Sequence, residues 1–300
     1  MNRMITFEQI SRYRKAYKNW VSVMLNLYLK REPVKVTLRN GYKTEFTPTQ
    51  ASIFSFSTKI GVDPKITVNF LKKEKVPYKN KAIIMHGLAS GFGGDVPLTF
   101  FNEDYKFLNI KGQVVIDIGA NIGDTAVYFA LNGAKQVIAL EPYPATFRYA
   151  VQNIKENGLD NQILLLNAGY GKDEEVIVEA NTKDTTGTLL RNAKDGIKIK
   201  VFSLESLIKA YDIKGAILKM DCEGCEYNLL NENDQTLMKF KQIQIEFHYG
   251  YKNLAKKLEC SGFNVKQKIL GKINGNVPEL KRMALENKDN TSGYIYAELT

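Results

Sequence analysis

Acidic residues follow short apolar runs at three points of the chain where buried strands are expected to end. Asp117 follows Val114–Ile116, Glu141 follows the next such run, and Asp221 follows Ala216–Met220. The carboxyl ends of parallel strands meet in one crevice of an open α/β sheet. Because a carboxylate at the tip of a buried strand needs a partner, this crevice is expected to hold a ligand that offers cations or hydroxyl groups.

A proton acceptor is expected beside these acids. Glu246 and His248 stand at the end of a further apolar strand, Gln242–Phe247. His248 is the first candidate for a general base because an ordinary imidazole pKa of about 6.5 suits proton transfer at neutral pH. Glu246 is expected to orient it from the same strand face, and Lys219 is expected to pair with Asp221. The alternative for His248 is an imidazole that only forms a hydrogen bond at a strand end.

The segment V-V-I-D-I-G-A-N-I-G-D predicts a strand, a tight turn and the start of a helix. Gly119 and Gly123 let the backbone turn sharply and approach a ligand, and Asn121 tolerates left-handed backbone angles. The dinucleotide fingerprint G-x-G-x-x-G would need glycine at Asn121 and at Asp124, so this loop does not favour NAD or FAD. The spacing D-x-G-x-x-x-G instead fits S-adenosylmethionine, which carries a sulfonium and an ammonium in place of a pyrophosphate.

Two further segments are expected to complete the binding of such a cofactor. Glu141 stands roughly twenty residues after the glycine turn, where the acid of a β-α-β unit accepts hydrogen bonds from ribose hydroxyls. A solvated loop acid is the alternative at this position. The third strand, Gln162–Asn167, leads into Ala168 and Gly169, whose backbone is expected beside the adenine ring.

Five motifs of the chain together resemble the FkbM family of S-adenosylmethionine-dependent methyltransferases: D-I-G-A-N-I-G-D, A-L-E-P-Y-P, N-I-K-E-N, I-L-K-M-D-C-E-G-C-E and I-E-F-H. The resemblance extends from Glu103 to His248. It implies an O-methyltransferase that acts on hydroxyls of sugars, glycolipids or polyketides. We expect the cofactor to be bound by Asp117, Gly119, Ala120, Asn121, Gly123, Glu141, Pro142, Asn167 and Ala168, and catalysis to depend on Asp221, Glu246 and His248.

Alternating strands and helices in the second part of the chain predict a class I methyltransferase fold, an α/β Rossmann-like doubly wound sheet of seven strands. Phe263–Ile269 and Gly293–Leu299 are expected to be the sixth and seventh strands, with the seventh inserted antiparallel. Glu174–Glu179 and Ile197–Phe202 are expected to form an added hairpin. Ser203 is the expected N-cap of the helix that follows.

The 300-residue chain has a net charge of +10, and the positive charge is concentrated near the N-terminus. Residues 1–111 hold 19 Lys and Arg against 8 Asp and Glu, whereas residues 112–300 hold 23 against 24. We therefore expect a basic appendage over residues 1–111, serving as a lid or an acceptor-binding region, and an S-adenosylmethionine-binding methyltransferase domain over residues 112–300. Within the appendage, Val34–Tyr42 and Lys65–Phe70 are expected to form small β hairpins.

One amphipathic helix is expected near the start of the appendage, because apolar residues recur there at three- and four-residue steps with basic residues between them. The apolar residues are Ile10, Tyr13, Tyr17, Trp20, Met24 and Leu27, and the basic ones are Arg12, Arg14, Lys15 and Lys18. The first interpretation is a helix that packs against its own domain. The alternatives are peripheral docking on anionic lipid and a basic surface for a phosphorylated glycan carrier. Nucleic acid is disfavoured, since no RNA-binding signature is evident.

Cysteine and acidic residues near the fourth strand bear on redox and metal chemistry. Three cysteines and two histidines in the chain argue against a disulfide framework and a histidine-rich metal site. Cys222 and Cys225 stand where the FkbM family more commonly has small aliphatic residues, and packing is favoured there over a redox pair. Asp221, Glu223 and Glu246 could hold Mg²⁺ through oxygen ligands, with metal-free proton transfer as the alternative.

A nucleic-acid or protein methyltransferase is the main alternative function. Many enzymes that methylate amines of nucleic acids carry Asn/Asp-Pro-Pro-aromatic after the fourth strand, whereas this chain has D-C-E-G, whose acids would repel phosphates. A non-catalytic S-adenosylmethionine-binding subunit is a further alternative, which the retained acids argue against. Because no apolar run is long enough for a membrane span and no secretory leader is evident, a cytoplasmic location is expected, with any membrane contact peripheral.

Overall fold

The computed structural model describes residues 7–29, 31–88, 95–180, 193–272 and 290–300. Between Asp104 and Tyr105 the chain divides into two compact units. The N-terminal unit contains helices and two short hairpins, and the C-terminal unit is built on one large sheet.

An aromatic cluster forms the core of the N-terminal unit. Tyr17 is fully buried, its ring centroid lies 5.5 Å from that of Phe54, and its hydroxyl donates to the carbonyl of Ala51 at 2.7 Å. The ring of Phe46 lies 5.7 Å from Phe54 on another side. The elements of this unit are α1 (Phe7–Ala16), α2 (Trp20–Tyr28), β1 (Val34–Thr37), β2 (Lys43–Phe46), α3 (Pro48–Lys59), α4 (Pro64–Lys73), β3 (Lys75–Tyr78), β4 (Lys81–Ile84) and α5 (Val96–Phe100).

The single amphipathic helix expected near the N-terminus is wrong, because the segment forms two helices, α1 and α2, joined by a turn at residues 17–19. The first hairpin explains the break. The backbone N–H of Lys18 donates to the carbonyl of Thr37 at 2.7 Å, and the side chain of Asn19 accepts from the N–H of Thr37 at 2.8 Å. Bonds to β1 thus replace those that a continuous helix would make within its own turn.

One of the two hairpins predicted in this unit is confirmed in part, and the other is wrong. β1 pairs antiparallel with β2, which places the predicted segment Val34–Tyr42 in a hairpin. Lys65–Phe70, in contrast, lies within α4. The side chain of Asp63 accepts from the backbone N–H of Lys65 at 2.6 Å, and Pro64 stands in the first turn. A capping Asp followed by Pro is a helix start signal, and it outweighs the β-branched residues that follow.

The large sheet of the C-terminal unit confirms the predicted α/β fold. Its strands are β5 (Val114–Ile118), β6 (Gln136–Leu140), β7 (Ile163–Leu166), β11 (Ala216–Met220), β12 (Phe240–Phe247), β13 (Phe263–Lys272) and β14 (Thr291–Leu299). Their order across the sheet is β13-β14-β12-β11-β5-β6-β7. All neighbours are parallel except β14, which runs antiparallel to β12 and β13, as predicted for the seventh strand.

Helices and a small second sheet complete this unit. The helices are α6 (Asp124–Leu131), α7 (Pro144–Glu156), α8 (Leu204–Ala210), a 3₁₀ helix (Cys225–Asn231), α9 (Asp234–Leu237) and α10 (Lys252–Cys260), and the small sheet contains β8 (Ala168–Tyr170), β9 (Glu174–Val178) and β10 (Ile197–Phe202). The antiparallel pairing of β9 with β10 confirms the added hairpin, which β8 extends. Ser203 caps α8 by accepting from the N–H of Ser206 at 3.1 Å, as predicted.

The central strands bring the acids of the sequence motifs to one edge of the sheet. All five residues of β11 are buried, as expected for a parallel strand covered on both faces. Since β5, β6, β11 and β12 run in the same direction, their carboxyl ends lie at the same edge. Asp117, Glu141, Asp221 and His248 stand at these ends.

Candidate active site

The turn after β5 packs directly against the end of β11. Gly119 has φ +80°, and a Cβ atom there would lie 1.8 Å from the backbone oxygen of Asp221. Only glycine fits so close an approach. Asn121 adopts a positive φ of 49°, and Gly123, with φ +82°, is the N-cap of α6. The buried Ala120 donates its N–H to the carbonyl of Leu140 at 3.0 Å, so the turn is also joined to β6.

Asp117 forms a buried ion pair with Lys219. The Nζ of Lys219 lies 2.9 Å from Oδ1 of Asp117, both side chains are at most 1% exposed, and Thr125 donates its hydroxyl to the other carboxylate oxygen at 2.6 Å. The expected pairing of Lys219 with Asp221 is therefore wrong. The cation that faces Asp117 belongs to the chain itself, and Lys219 also donates to the carbonyl of Gly119 at 2.8 Å. The ion pair thus holds the glycine turn through the hydrogen bond of Lys219 to Gly119.

Glu141 is buried and accepts three hydrogen bonds from its surroundings. Oε1 accepts from the N–H of Tyr143 at 2.9 Å and from the hydroxyl of Thr146 at 2.7 Å, and Oε2 accepts from the N–H of Asn121 at 2.9 Å. Burial raises the pKa of Glu141 to about 7, although these hydrogen bonds oppose the shift. Because a carboxylate offers about four acceptor positions, these three hydrogen bonds do not use all the acceptor positions of Glu141.

The segment after β7 borders the loop that carries Glu141. The side-chain nitrogen of Asn167 donates to the carbonyl of Glu141 at 2.8 Å and to the carbonyl of Pro142 at 3.0 Å. Ala168 is buried at the start of β8. Thus the residues predicted to bind the ribose and the adenine are held together by contacts between their own backbones and side chains.

A second group of acids surrounds His248 at the ends of β11 and β12. Its Nε2 lies 3.4 Å from Oε2 of Glu223 and 3.9 Å from Oδ1 of Asp221. Its Nδ1 lies 3.1 Å from Oε1 of Glu226. Asp221, Glu246 and His248 can also bring one ligand atom each within 4.8 Å of one another. We call Asp221, Glu223, Glu226, Glu246 and His248 the acid–imidazole cluster.

The acids change the protonation of His248. Burial by itself lowers the pKa of the imidazole, but the charges of Glu223 and Glu226 outweigh it, so that the pKa of His248 lies well above its usual value of 6.5. The imidazole is therefore protonated at neutral pH in the ligand-free protein. The ordinary pKa of about 6.5, on which the choice of His248 as a general base depended, therefore does not apply in the ligand-free protein.

Glu226 contacts both the backbone and the ring of His248, whereas the sequence analysis expected Glu246 to orient the imidazole. The side chain of Glu226 is fully buried, and its Oε1 accepts from the backbone N–H of His248 at 3.1 Å as well as facing Nδ1. Its other oxygen accepts from the N–H of Gly224 at 2.7 Å. The sequence signal for Glu226 was its place in the motif D-C-E-G-C-E. Its partner, His248, lies just after β12 and 22 residues further along the chain.

Two cysteines of the same motif form a disulfide, Cys222–Cys225. The preference for simple packing of these residues is thus wrong. The turn between them holds Glu223 at φ +58° and Gly224 at φ +119°, so the bond closes the segment that carries one of the acids facing His248. The two cysteines are three residues apart in the sequence, and the turn between them brings their Cα atoms to 5.4 Å, within the usual range for a disulfide.

Tyr105 adds a phenol to the cluster, which the sequence analysis missed. It is buried, and burial together with the charges of Asp221 and Glu246 raises its pKa well above the usual value of 10. The Nζ of Lys219 lies 5.8 Å from its ring centroid. Tyr105 therefore keeps its phenol proton at neutral pH and adds no charge beside these acids.

A family model described as the methyltransferase FkbM domain matches residues 117–264, from the glycine turn to β13. This chain belongs to the FkbM methyltransferase family. The match contains the acid–imidazole cluster, the disulfide and the loop of Glu141. The matched residues thus include both groups of acids, and the match confirms the resemblance that the motifs indicated.

Curated relatives of this FkbM methyltransferase match only part of its length. The ribosomal protein L11 methyltransferase of Deinococcus radiodurans is 30% identical over 105 residues, 35% of this chain and 38% of that protein. The chain thus spans little more than a third of that relative. Uncharacterized protein 158B of Sulfolobus islandicus rod-shaped virus 1 is 30% identical over 148 residues, 49% of this chain and 68% of that protein.

Solved structures resemble the chain at low sequence identity. TrmK of M. capricolum, solved with S-adenosyl-homocysteine, is 13% identical, with a TM-score of 0.38 over 66% of this chain and 67% of that chain.

Within the described residues of the FkbM methyltransferase, no helix is both long and apolar enough to cross a membrane.

Proposed function

We propose that this chain is an S-adenosylmethionine-dependent O-methyltransferase that methylates a hydroxyl of a sugar, a glycolipid or a related secondary metabolite. The observation that carries the proposal is the acid–imidazole cluster. Its carboxylates lie at the ends of two neighbouring strands, with Asp221 and Glu223 within 4 Å of the imidazole of His248. A hydroxyl is a poor nucleophile at neutral pH, and this cluster supplies proton acceptors for it.

The residues around the glycine turn fit the chemistry of the cofactor. Gly119 and Gly123 adopt positive φ angles and have no side chain, so the backbone can approach a ligand at these two positions, and Glu141 keeps one acceptor position for a ribose hydroxyl. When bound, the cofactor supplies a methyl group on a positively charged sulfur. The acid–imidazole cluster holds four acids and one imidazole, and this excess of acids favours a cationic ligand over a phosphate-bearing one. These glycines and carboxylates therefore suit S-adenosylmethionine better than a dinucleotide.

Asp221 is the residue that we assign as the proton acceptor. Its side chain is partly exposed, about 19%, whereas Glu226 is fully buried and already holds two N–H groups. The Asp221 carboxylate would accept the proton of the acceptor hydroxyl during methyl transfer, and the bound cofactor would supply the methyl group from its positively charged sulfur. The imidazolium of His248 offsets part of the negative charge and keeps Asp221 and Glu223 in place.

Magnesium is a poor match for this cluster. Mg²⁺ prefers octahedral oxygen ligands, but one of the three groups that come within 4.8 Å of one another is the imidazole of His248. That imidazole holds a proton at neutral pH, which a metal would have to displace. We therefore expect a chelator to leave the rate of methyl transfer unchanged.

A protein side chain is the second candidate acceptor. The relatives named ribosomal protein L11 methyltransferase favour it, and the carboxylates of the acid–imidazole cluster could attract a cationic amine. An amine acceptor and a hydroxyl acceptor are distinguished by the product, because tandem mass spectrometry locates the added group on nitrogen as an N-methyl group or on oxygen as a methyl ether.

The first test is ligand-dependent thermal stability followed by methyl transfer. S-adenosylmethionine and S-adenosylhomocysteine at a hundredfold their Kd should each add about 2.7 kcal/mol and raise Tm by several degrees, whereas NAD should not. Transfer of a labelled methyl group is then measured against sugars, glycolipids and proteins. Stabilisation by NAD alone would contradict the cofactor assignment, and binding without transfer to any acceptor would favour a non-catalytic subunit.

Asp221→Asn tests the assigned proton acceptor. Removal of a general base lowers kcat by about a hundredfold or more, while the Kd for S-adenosylhomocysteine should stay within about threefold of the wild type. The matched control is Asp212→Asn, whose side chain is 88% exposed. If Asp221→Asn weakened cofactor binding and left kcat unchanged, Asp221 would be a cofactor ligand and the proposed proton transfer would be wrong.

A further inference from the structure

The helix α2 carries apolar residues on two different faces. Val23 and Met24 are buried, and they face α1 and β1 in the N-terminal unit. At 100° per residue, a second face is formed by Val21, Leu25 and Tyr28, with Leu29 at the C-cap. These four side chains are 59%, 53%, 50% and 44% exposed, respectively. We call them the exposed stripe.

An apolar stripe on a helix of a globular protein normally faces the core. Here the core-facing side of α2 is already occupied, so packing within the N-terminal unit does not account for the exposed stripe. Only Ser22 and Asn26 interrupt the apolar residues of the helix W-V-S-V-M-L-N-L-Y. Within the described residues these four side chains are therefore left exposed, and their chemical surroundings indicate the kind of surface that binds them.

Cations without acids flank the exposed stripe in the sequence. From residue 9 to residue 31 the chain has six Lys and Arg and no Asp or Glu. Arg14, Lys15 and Lys18 before α2 and Arg31 after it are exposed, whereas Arg12 is buried with its guanidinium 3.6 Å from the ring centroid of Phe56. At least four cations thus remain available to an external anionic surface.

We propose that α2 is an interfacial helix that docks the protein on an anionic lipid surface. α2 itself has no charged residue, so the cations come from the segments on either side of it, and exposed apolar side chains next to Lys and Arg are a combination that binds anionic bilayer surfaces. A second copy of the chain fits the same face less well, because a twofold interface would place identical cations against one another. The proposal does not rest on methyl transfer, since it concerns a different unit of the chain.

Sedimentation of the full-length protein with vesicles tests the docking. The protein should bind vesicles of phosphatidylcholine mixed with phosphatidylglycerol, bind pure phosphatidylcholine vesicles more weakly, and be released as salt screens the charges. The double variant Val21→Gln, Leu25→Gln should lower the partition coefficient by about tenfold or more. Both positions are exposed, and an unchanged Tm establishes that the fold is intact.

Two matched controls distinguish docking through the exposed stripe from nonspecific binding to vesicles. Ile66→Gln removes an apolar side chain of 40% exposure from α4 in the same unit and should bind as the wild type does. Lys15→Glu with Lys18→Glu should weaken binding, whereas Lys72→Glu with Lys73→Glu, an equal change of charge on exposed residues of α4, should have a much smaller effect.

Three outcomes would overturn the proposal. The first is no binding of the wild type to anionic vesicles. The second is equal binding of the stripe variant and Ile66→Gln. The third is a wild-type protein that self-associates in sedimentation equilibrium without lipid and becomes monomeric in the stripe variant, which would assign the stripe to a second copy of the chain. Methyl-transfer activity is not a readout in any of these, so failure here leaves the proposed reaction untouched.

Discussion

At the residue scale, the acids of this protein differ in what holds them. Asp117 has a buried cation and a hydroxyl as partners, Glu226 holds the backbone and ring of His248, and Asp221 stays partly exposed beside the same ring. The sequence analysis assigned Asp117 to the cofactor and Asp221 to catalysis and gave Glu226 no role, whereas the structure shows which of these carboxylates are held by partners within the chain and which one is partly exposed.

The first prediction concerns Glu141 and pH. Its folded-state pKa of about 7 lies above the ordinary 4.5 because of burial, so the folded protein keeps a proton that the unfolded chain releases. The free energy of unfolding should therefore fall by about 3 kcal/mol as pH rises from about 4.5 to 7, and level off above that. Urea unfolding across this pH range measures the slope.

Glu141→Gln isolates this contribution. The neutral side chain cannot titrate, so the decline between pH 4.5 and 7 should become shallower by that amount. The absolute stability is not the readout, since the amide nitrogen of Gln would face an N–H donor in place of an oxygen. The control is Glu175→Gln at an exposed position of β9. An identical slope in the wild type and Glu141→Gln would show that Glu141 titrates near its ordinary pKa.

At the element scale, the Asp117–Lys219 pair joins β5 to β11 below the glycine turn. The two residues are also cross-strand neighbours in the sheet, and Lys219 reaches the carbonyl of Gly119. The close approach of Gly119 to Asp221 depends on how these strands are held. Thus a buried charge pair, and not apolar packing alone, sets the position of the turn relative to the acid–imidazole cluster.

The second prediction is that breaking this pair destabilises the protein more than removing it. Lys219→Met leaves the carboxylate of Asp117 buried without its cation and should lower the free energy of unfolding by about 3–5 kcal/mol. The double variant Asp117→Asn, Lys219→Met should lose less stability than Lys219→Met alone, because neither charge of the pair is then buried without its partner. Chemical denaturation measures both.

Lys214→Met is the matched control, since that lysine is 87% exposed and its ion pair with Asp212 lies at the surface. It should change the free energy of unfolding by less than about 1 kcal/mol. If Lys219→Met and Lys214→Met had equal effects, the buried pair would contribute no more than a surface pair, and the anchoring of the turn would need another explanation.

At the scale of the whole molecule, the end of the chain completes the large sheet. β14 lies between β12 and β13, and its residue Tyr294 is paired with Glu246 of the acid–imidazole cluster. Ile295 and Ala297 are fully buried. The edge strand β13 therefore has no partner in the large sheet until residues 291–299 are in place.

The third prediction follows from this topology. A chain that ends at residue 290 should lose the native C-terminal unit, because β12 and β13 would both expose unpaired backbone groups and apolar side chains. Hydrogen exchange should show β13 amides without protection, and thermal unfolding should lose cooperativity. Deletion of Thr300 alone, an exposed residue, should leave both measurements unchanged. Retained protection of β13 in the shorter chain would contradict the role of β14.

Local sequence signals determined most of the elements. Apolar runs bounded by glycine and acids predicted the strands of the large sheet, and a single antiparallel strand near the C-terminus was placed correctly. Ser203 was predicted as a cap because capping acts over three residues. The same kind of signal, Asp63 followed by Pro64, was present for α4, but the β-branched residues after it were given more weight.

Tertiary structure alone decided the partners of the charged groups. Lys219 stands two residues from Asp221, yet its partner Asp117 comes from a strand about a hundred residues earlier in the chain, so no spacing rule could identify it. The pKa of His248 depends on burial and on Glu223 and Glu226, which lie in the turn and the 3₁₀ helix after β11, and both influences arise only on folding. The sequence therefore determined which groups reach the sheet edge, while the packing of β5, β11 and β12 decided which of them stay charged, buried or open to a ligand.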